Sequence, residues 1–409
     1  MNLALFEDAH YTQLLPLTWL RTACELRCGR DRLIDKIRNH VGPRIARLFL
    51  RETIREAVSD RIELVEPIDS ENWCLLNTRL LATGDVLTPP VGVAWMSQGT
   101  LLAATVTAAD AAQLSAELFL DEQRFEEWVS KLRAEPAPAV LRPINYPWDL
   151  IAENEKELER QCTGGGVREG TIHEGAHLLF ANEIYIASGA VIKPGTVLDA
   201  ESGPIYVDRD VLVQPNAVIE GPCYVGRGTT IRPGAIIRGN TSIGEVCKIG
   251  GEIEASIFQG YGNKQHDGFL GHSFVGEWVN LGADTVTSDL KNTYGTIRVS
   301  LSGVNVETGQ HFVGSFIGDH AKTGIGTILP TGGVVGVAAN VFTHSTVPKF
   351  VPSFAWLTDD GLTSYRVDKA IDIARIVMGR RDRHFSDAEA RLFATTAKLA
   401  RDTESAGWS

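Results

Sequence analysis

Aliphatic residues recur at every sixth position through much of the second half of the chain. Val207, Val213, Ile219, Val225, Ile231, Ile237, Ile243 and Ile249 make one unbroken run. Ile186, Ile192 and Leu198 precede it, and Ile317, Thr323, Leu329, Val335, Val341 and Val347 resume it. A period of six fits neither an α-helix nor a simple strand. Fixed short periods mark solenoids, in which each unit buries its apolar side only against the next. Small residues follow many of these positions, as in Val225-Gly226, Ile243-Gly244, Ile249-Gly250, Ile317-Gly318 and Val335-Gly336, and ease tight corners. The repeat predicts a β-solenoid over 167–350, with one interruption at 288–312 that must leave it as a loop.

The rest of the chain follows other periods. Residues 1–107 read as a small α/β unit. Its strands are predicted at Leu3–Phe6, Trp73–Asn77, Val91–Met96 and Leu101–Val106, and Leu33, Ile34, Ile37 and Val41 have helical spacing. Alternation of strand and helix predicts an open parallel or mixed sheet. Residues 108–166 read as a helical linker region. It holds Ala/Leu/Glu-rich patterns over 108–133, a linker at Glu135–Ala139, and a polar helix Ile151–Gln161 ended by Gly164-Gly165-Gly166. Helical spacing returns in a C-terminal extension, 351–409, where Ser386 and Glu389 fit a capping box. The Arg380-Arg381-Asp382-Arg383 cluster closes the helix before it, where cations suit the C-terminus. The fold class expected is therefore mixed.

Composition narrows the function. A net charge of −12 argues against a nucleic-acid binder, because phosphate contact needs a basic surface. No stretch of about 18 apolar residues stands in the chain, so no transmembrane helix and no membrane partner are expected. The opening Met-Asn-Leu-Ala-Leu-Phe-Glu-Asp lacks the basic region of a signal peptide, which points to the cytoplasm. The six cysteines form no Cys-x-x-Cys pair and are expected as free thiols. The ten histidines show no metal-ligand spacing, and no protein-bound metal is expected from them.

The repeat resembles the hexapeptide repeat of the left-handed parallel β-helix, whose enzymes are mostly acyltransferases. Two further segments sharpen the likeness. Leu14–Gly29 looks like the opening of sugar-1-phosphate nucleotidyltransferases, with Pro16, Leu17, Thr18, Arg21 and Gly29 in place. That family's glycine-rich phosphate loop is replaced by Glu7–Gln13, which contains no glycine, and close backbone approach to a triphosphate needs glycine. Asn263–Asp289 resembles the Gly-His and Val-Asn-x-Gly-Ala stretch of the bifunctional enzymes that make UDP-N-acetylglucosamine. Together these segments place the chain beside the GlmU-like family, with an atypical N-terminal domain.

The resemblance implies an acyl-CoA-dependent transferase, with acetyl-CoA as co-substrate and a sugar-1-phosphate or nucleotide sugar as acceptor. His272 matches the general base. Without this context it would read as a corner histidine bonded to a carbonyl. Asn280 matches a sugar-binding Asn, Arg238 a sugar-phosphate Arg, and Gly282 and Ala283 the backbone that faces the acyl group. Lys264 is expected to supply charge that the family carries elsewhere. Asp289 stands where the family has an Asn, and is expected to contact the sugar or to orient His272. In the N-terminal domain Thr18, Arg21 and Asn77 are the candidates for nucleotide or sugar phosphate, and turnover there would require Mg2+. The family also implies a homotrimer with sites between subunits. Two other readings remain: a non-catalytic nucleotide-sugar-binding or scaffold trimer, and a nucleotidyltransferase whose β-helix serves only assembly.

Overall fold

The computed structural model describes residues 1–163 and 165–408. Gly164, read from the sequence as part of a helix stop, lies outside the described residues. The chain forms two compact units. One comprises residues 1–14, 20–26 and 31–146, and the other 15–19, 27–30 and 147–409.

The first unit is built on a six-stranded mixed sheet. Its order is Ile45–Phe49, Asn2–Phe6, Trp73–Asn77, Thr100–Val106, Val93–Ser97 and Arg133–Pro136. The first three strands are parallel, and Thr100–Val106 runs antiparallel to both of its neighbours. Phe6, Phe49 and Phe119 meet in its core, with the Phe6 and Phe119 rings stacked 4.7 Å apart. Two expectations change here. The segment read as a linker supplies the strand Arg133–Pro136, which pairs in parallel with Val93–Ser97. The compact unit consequently runs to residue 146 rather than 107. Proline disguised that strand. An edge position tolerates the missing amide, because only one side of the strand is paired.

In the second unit, short parallel strands stack into three sheets, which are the faces of a β-helix. The first face begins with Thr171–Ile172 and Val191–Ile192, the second with His177–Leu179 and Val197–Asp199, and the third with Ile184–Ile186 and Ile205–Val207. Every aliphatic residue of the 207–249 run is 0% exposed, so the period of six is the set of positions that point into the prism. Truncating one of them to Ala removes about 2–5 kcal/mol, because the neighbouring coils cannot close the gap. At the corners the backbone turns through left-handed φ at Asp210, Asn216, Asn240 and His272, among others. The strands continue past the expected end at 350 to Ala355–Thr358, which forms a hairpin with Gly361–Ser364. Helices Val367–Gly379 and Asp387–Thr403 follow, and the expected capping box is present at Ser386 and Glu389. Within the interruption, Arg298–Leu301 pairs with Val304–Glu307, and a bridge between Leu290 and Phe312 closes its base. All six cysteines are free and buried.

Candidate active site

His272 sits on a corner between the second and third faces, directly after the strand Phe269–Gly271, with φ of +44°. Its Nδ1–H donates to Asp289 Oδ2 at 2.8 Å. That bond leaves Nε2 with its lone pair free to accept a proton. The two side chains remain 24% and 14% exposed, so the ring is anchored but reachable. Phe312 stacks on the imidazole with centroids 5.2 Å apart and planes at 28°. The protruding loop builds this arrangement. It leaves the coil at Asp289 and returns at Phe312, where the Val313 amide donates to Asp289 O and the Gly314 amide to His272 O, both at 2.9 Å. Gly271 and Gly314 permit this close packing. A Cβ on Gly271 would collide with Asp289 Oδ2, and one on Gly314 with Gly271 O.

Arg238 belongs to the same edge of the prism. Its amide donates to Ile253 O, and Glu254 pairs in register with Gly271. Arg238 thus lies two strand spacings from the histidine corner, about 10 Å. Glu252 Oε1 holds its guanidinium at 2.7 Å, and the arginine remains partly exposed.

Other expected residues stand elsewhere. Lys264 is 1% exposed and occupies an inward position, in register after Ile192, Val213, Ile231 and Ile249. Its ammonium donates to the carbonyls of Gly250, His266 and Asp267 at 3.0–3.3 Å, and burial pushes its pKa down to about 8. It plugs the prism interior and is not available to a sugar phosphate, which corrects the expectation drawn from its sequence. Asn280 is exposed on the first face, bridging the backbones of Asn263 and Lys322. The Gly282 amide, an expected oxyanion donor, donates to Thr323 Oγ1 at 2.9 Å. The Ala283 amide has no hydrogen-bond partner among the described residues. It lies on the corner between the first and second faces, one strand (Val286–Thr287) before Asp289.

Sequence reasoning missed Phe312 and Glu252. Phe312 carries no motif and lies 40 positions from His272, so only the closed loop reveals it. Glu252 could have been found from the register of the repeat with Arg238.

The first unit holds an open cleft of about 680 Å3 near the carboxyl ends of Asn2–Phe6 and Trp73–Asn77. None of Thr18, Arg21 and Asn77 lines it. Thr18 and Arg21 are buried, at 0% and 4% exposure, and the amide of Asn77 is committed to Asp8 and Leu101 O. Asp85 is an exposed partner of His40. Among the described residues no group of three or more His, Cys, Asp and Glu side chains is placed to hold a metal ion, so no step is assigned to Mg2+. No helix among them is long and apolar enough to cross a membrane.

A family model described as sugar nucleotidyl transferase matches residues 3–164, and one for the bacterial transferase hexapeptide matches 204–239. The bifunctional sugar-1-phosphate nucleotidylyltransferase/acetyltransferase of Sulfurisphaera tokodaii is 30% identical over 210 residues, 51% of this chain and 46% of that protein. The bifunctional protein GlmU of Methanococcus aeolicus is 28% identical over 215 residues, 50% of this chain and 45% of that one. The chain therefore spans less than half the length of these relatives. LpxA of Acinetobacter baumannii aligns over 57% of this chain and 92% of its own at 12% identity, with a TM-score of 0.20. Residues 3–164 are thus similar to sugar nucleotidyl transferases and residues 204–239 to the bacterial transferase hexapeptide, and about half of the chain is similar to bifunctional proteins named GlmU or nucleotidylyltransferase/acetyltransferase.

Proposed function

We propose that the chain is an acyl-CoA-dependent acyltransferase, using acetyl-CoA, whose acceptor is the amine of a sugar-1-phosphate or nucleotide sugar. The observation that carries the reading is the His272–Asp289 pair, 2.8 Å apart on a reachable corner of the β-helix. Asp289 fixes the imidazole tautomer, so Nε2 faces the acceptor as base. The amine nitrogen attacks the thioester carbonyl and loses its proton to Nε2. The tetrahedral intermediate places negative charge on oxygen, and the unused amide of Ala283 is the group best suited to receive it. Collapse breaks the C–S bond, and the imidazolium returns the proton to the departing thiolate. Arg238 is suited to the sugar phosphate, which would displace Glu252 from it.

Ala283 and Asn280 stand on a different corner and face from His272 within one copy. That separation suits a site completed by a second copy, as in a homotrimer, where the Ala283 corner of one protomer meets the His272 corner of its partner. For the first unit, a binding role is favoured over nucleotidyl transfer, because Glu7–Gln13 offers no glycine cradle for a triphosphate. The test is thiol release from acetyl-CoA with glucosamine-1-phosphate, comparing wild type with His272→Ala. Acceptor-dependent release that vanishes in the variant supports the reading. Undiminished release in His272→Ala, or none with any amino-sugar phosphate, rejects it.

A further inference from the structure

At one corner of the β-helix, cations gather without carboxylates to balance them. Lys248 and Asn263 pair in register on the first face, about 4.8 Å apart. Each stands two residues after the corner that joins the third face to the first, where Val246 and Tyr261 adopt φ of +56° and +53°. Arg232 lies over Gly250 on the preceding coil, and its amide donates to Ile249 O at 2.7 Å. The turn after the helix Val367–Gly379 supplies the rest. Arg381 Nη2 donates to Asn263 Oδ1 at 3.0 Å, and Arg383 lies over the Tyr261 ring at 5.7 Å. Arg232, Lys248 and Arg381 are half-buried. Among the described residues none of Arg232, Lys248, Arg380, Arg381 and Arg383 forms an ion pair, and Asp382, the one carboxylate within the run, is exposed and pairs with none of them. Lys248 registers the result. Its pKa is held below the ordinary 10.5, first by Arg381, then by burial, then by Arg232 and Arg380, so every charged group acting on it is positive. Arg380 caps the helix Val367–Gly379, whose C-terminal end carries about half a negative charge, too little to balance the set. In a chain of net charge −12 carboxylates are plentiful, yet none is placed here.

We propose that this corner binds a small phosphate-class oxyanion, held by Arg232, Lys248 and Arg381 with the Asn263 amide, which ties the turn at 380–383 to the coils beneath it. Guanidinium forks match pairs of phosphate oxygens, and the ammonium adds a point charge. Asn263 gives Oδ1 to Arg381 and keeps its Nδ2 donors without a partner among the described residues, which supplies a neutral donor beside the cations. The cluster is local and the chain as a whole is acidic, so the anion is a small molecule rather than a nucleic-acid strand. Ala283 lies at the opposite corner of the same face, before the turn at Asp284, so the anion is not placed by the reaction proposed above.

The experiment is isothermal titration calorimetry on the full chain at constant low ionic strength, with pyrophosphate and with glycerol 3-phosphate. Both carry the phosphate chemistry, and the tighter of the two tells a free anion from a phosphate ester. Wild type is expected to bind at least one of them, and more weakly as chloride is added. Affinity is expected to fall about tenfold or more in Arg232→Gln/Lys248→Gln, which keeps the Arg381–Asn263 bond. In anion-free buffer the same variant should melt no lower than wild type, because removing like charges relieves repulsion. Pyrophosphate should raise the melting temperature of wild type and leave that of the variant unmoved. Arg238→Gln, at the proposed sugar-phosphate position, is expected to bind pyrophosphate as wild type does, so this test stands or falls apart from the acyltransferase reading. Equal affinity in the double variant, equal thermal shifts in both proteins, or no binding of either anion by wild type overturns the proposal.

Discussion

In the proposed reaction Asp289 is the residue that orients the base, through its 2.8 Å bond to His272 Nδ1. An Asn at this position would preserve the shape but present Nδ2–H or a weaker acceptor to His272 Nδ1. Asp289→Asn is expected to lower kcat by about 100- to 10,000-fold with little change in KM for the sugar, measured by steady-state thiol release. Gly271→Ala tests the same contact from the other side, since its methyl would strike the Asp289 carboxylate. The expected result is a comparable loss of kcat with the β-helix still folded by circular dichroism. Lys264 separates structural from chemical roles. Lys264→Met keeps side-chain bulk in the inward slot but strips three carbonyls of their donor, so stability should fall by about 1–3 kcal/mol in denaturant unfolding, with KM for the sugar phosphate unchanged. His272 was singled out in the sequence from Gly-His and its downstream neighbours, as the base now proposed. Its partner's role was left open there, because Asp289 lies 17 positions away and only coil stacking brings the two together.

At the level of elements, periodicity carried different amounts of information in different places. The inward positions from Val207 to Ile249 could be read directly, since each is apolar, evenly spaced and fully buried. Lys264 broke the pattern after a change in coil length, so its inward register was hidden until the strands were paired: Asn263–Lys264 aligns with Lys248–Ile249. Arg133–Pro136 was hidden for another reason, because Pro136 and the Pro138 that follows the strand mimic a linker and its partner lies 40 positions earlier. The loop 288–312 was visible as an interruption, but not as the element that returns Phe312 to the histidine. Its base is held by the Leu290–Phe312 bridge, and both ends are bonded to the corner they serve.

On the scale of the whole molecule, a buried acid ties distant segments of the second unit together. Glu404 is 1% exposed and accepts from Trp19 Nε1 at 2.7 Å, from the Ser353 amide at 2.6 Å and from Ser353 Oγ at 3.0 Å. Burial raises its pKa above the ordinary 4.5. The folded state therefore holds this proton after the unfolded chain has released it. Its contribution to stability is complete below 4.5 and is lost as pH rises through the raised folded value. Melting temperature should decline over that window in wild type and decline less in Glu404→Gln, as thermal unfolding across a pH series would show. The plug at Lys264 has a consequence of a different kind. Each coil of a solenoid touches only its neighbours, so unfolding can spread along it like a zip from an open end. A coil whose centre is an ammonium gripped by carbonyls, rather than an aliphatic stack, is a natural seam. Amide hydrogen exchange is expected to divide there, with the coils from Ile205 to Ile253 opening as one block and those from Phe274 to Val351 as another. His272 and Asp289 lie just beyond that seam, so the corner they form would be released with the later block while the earlier coils remain protected.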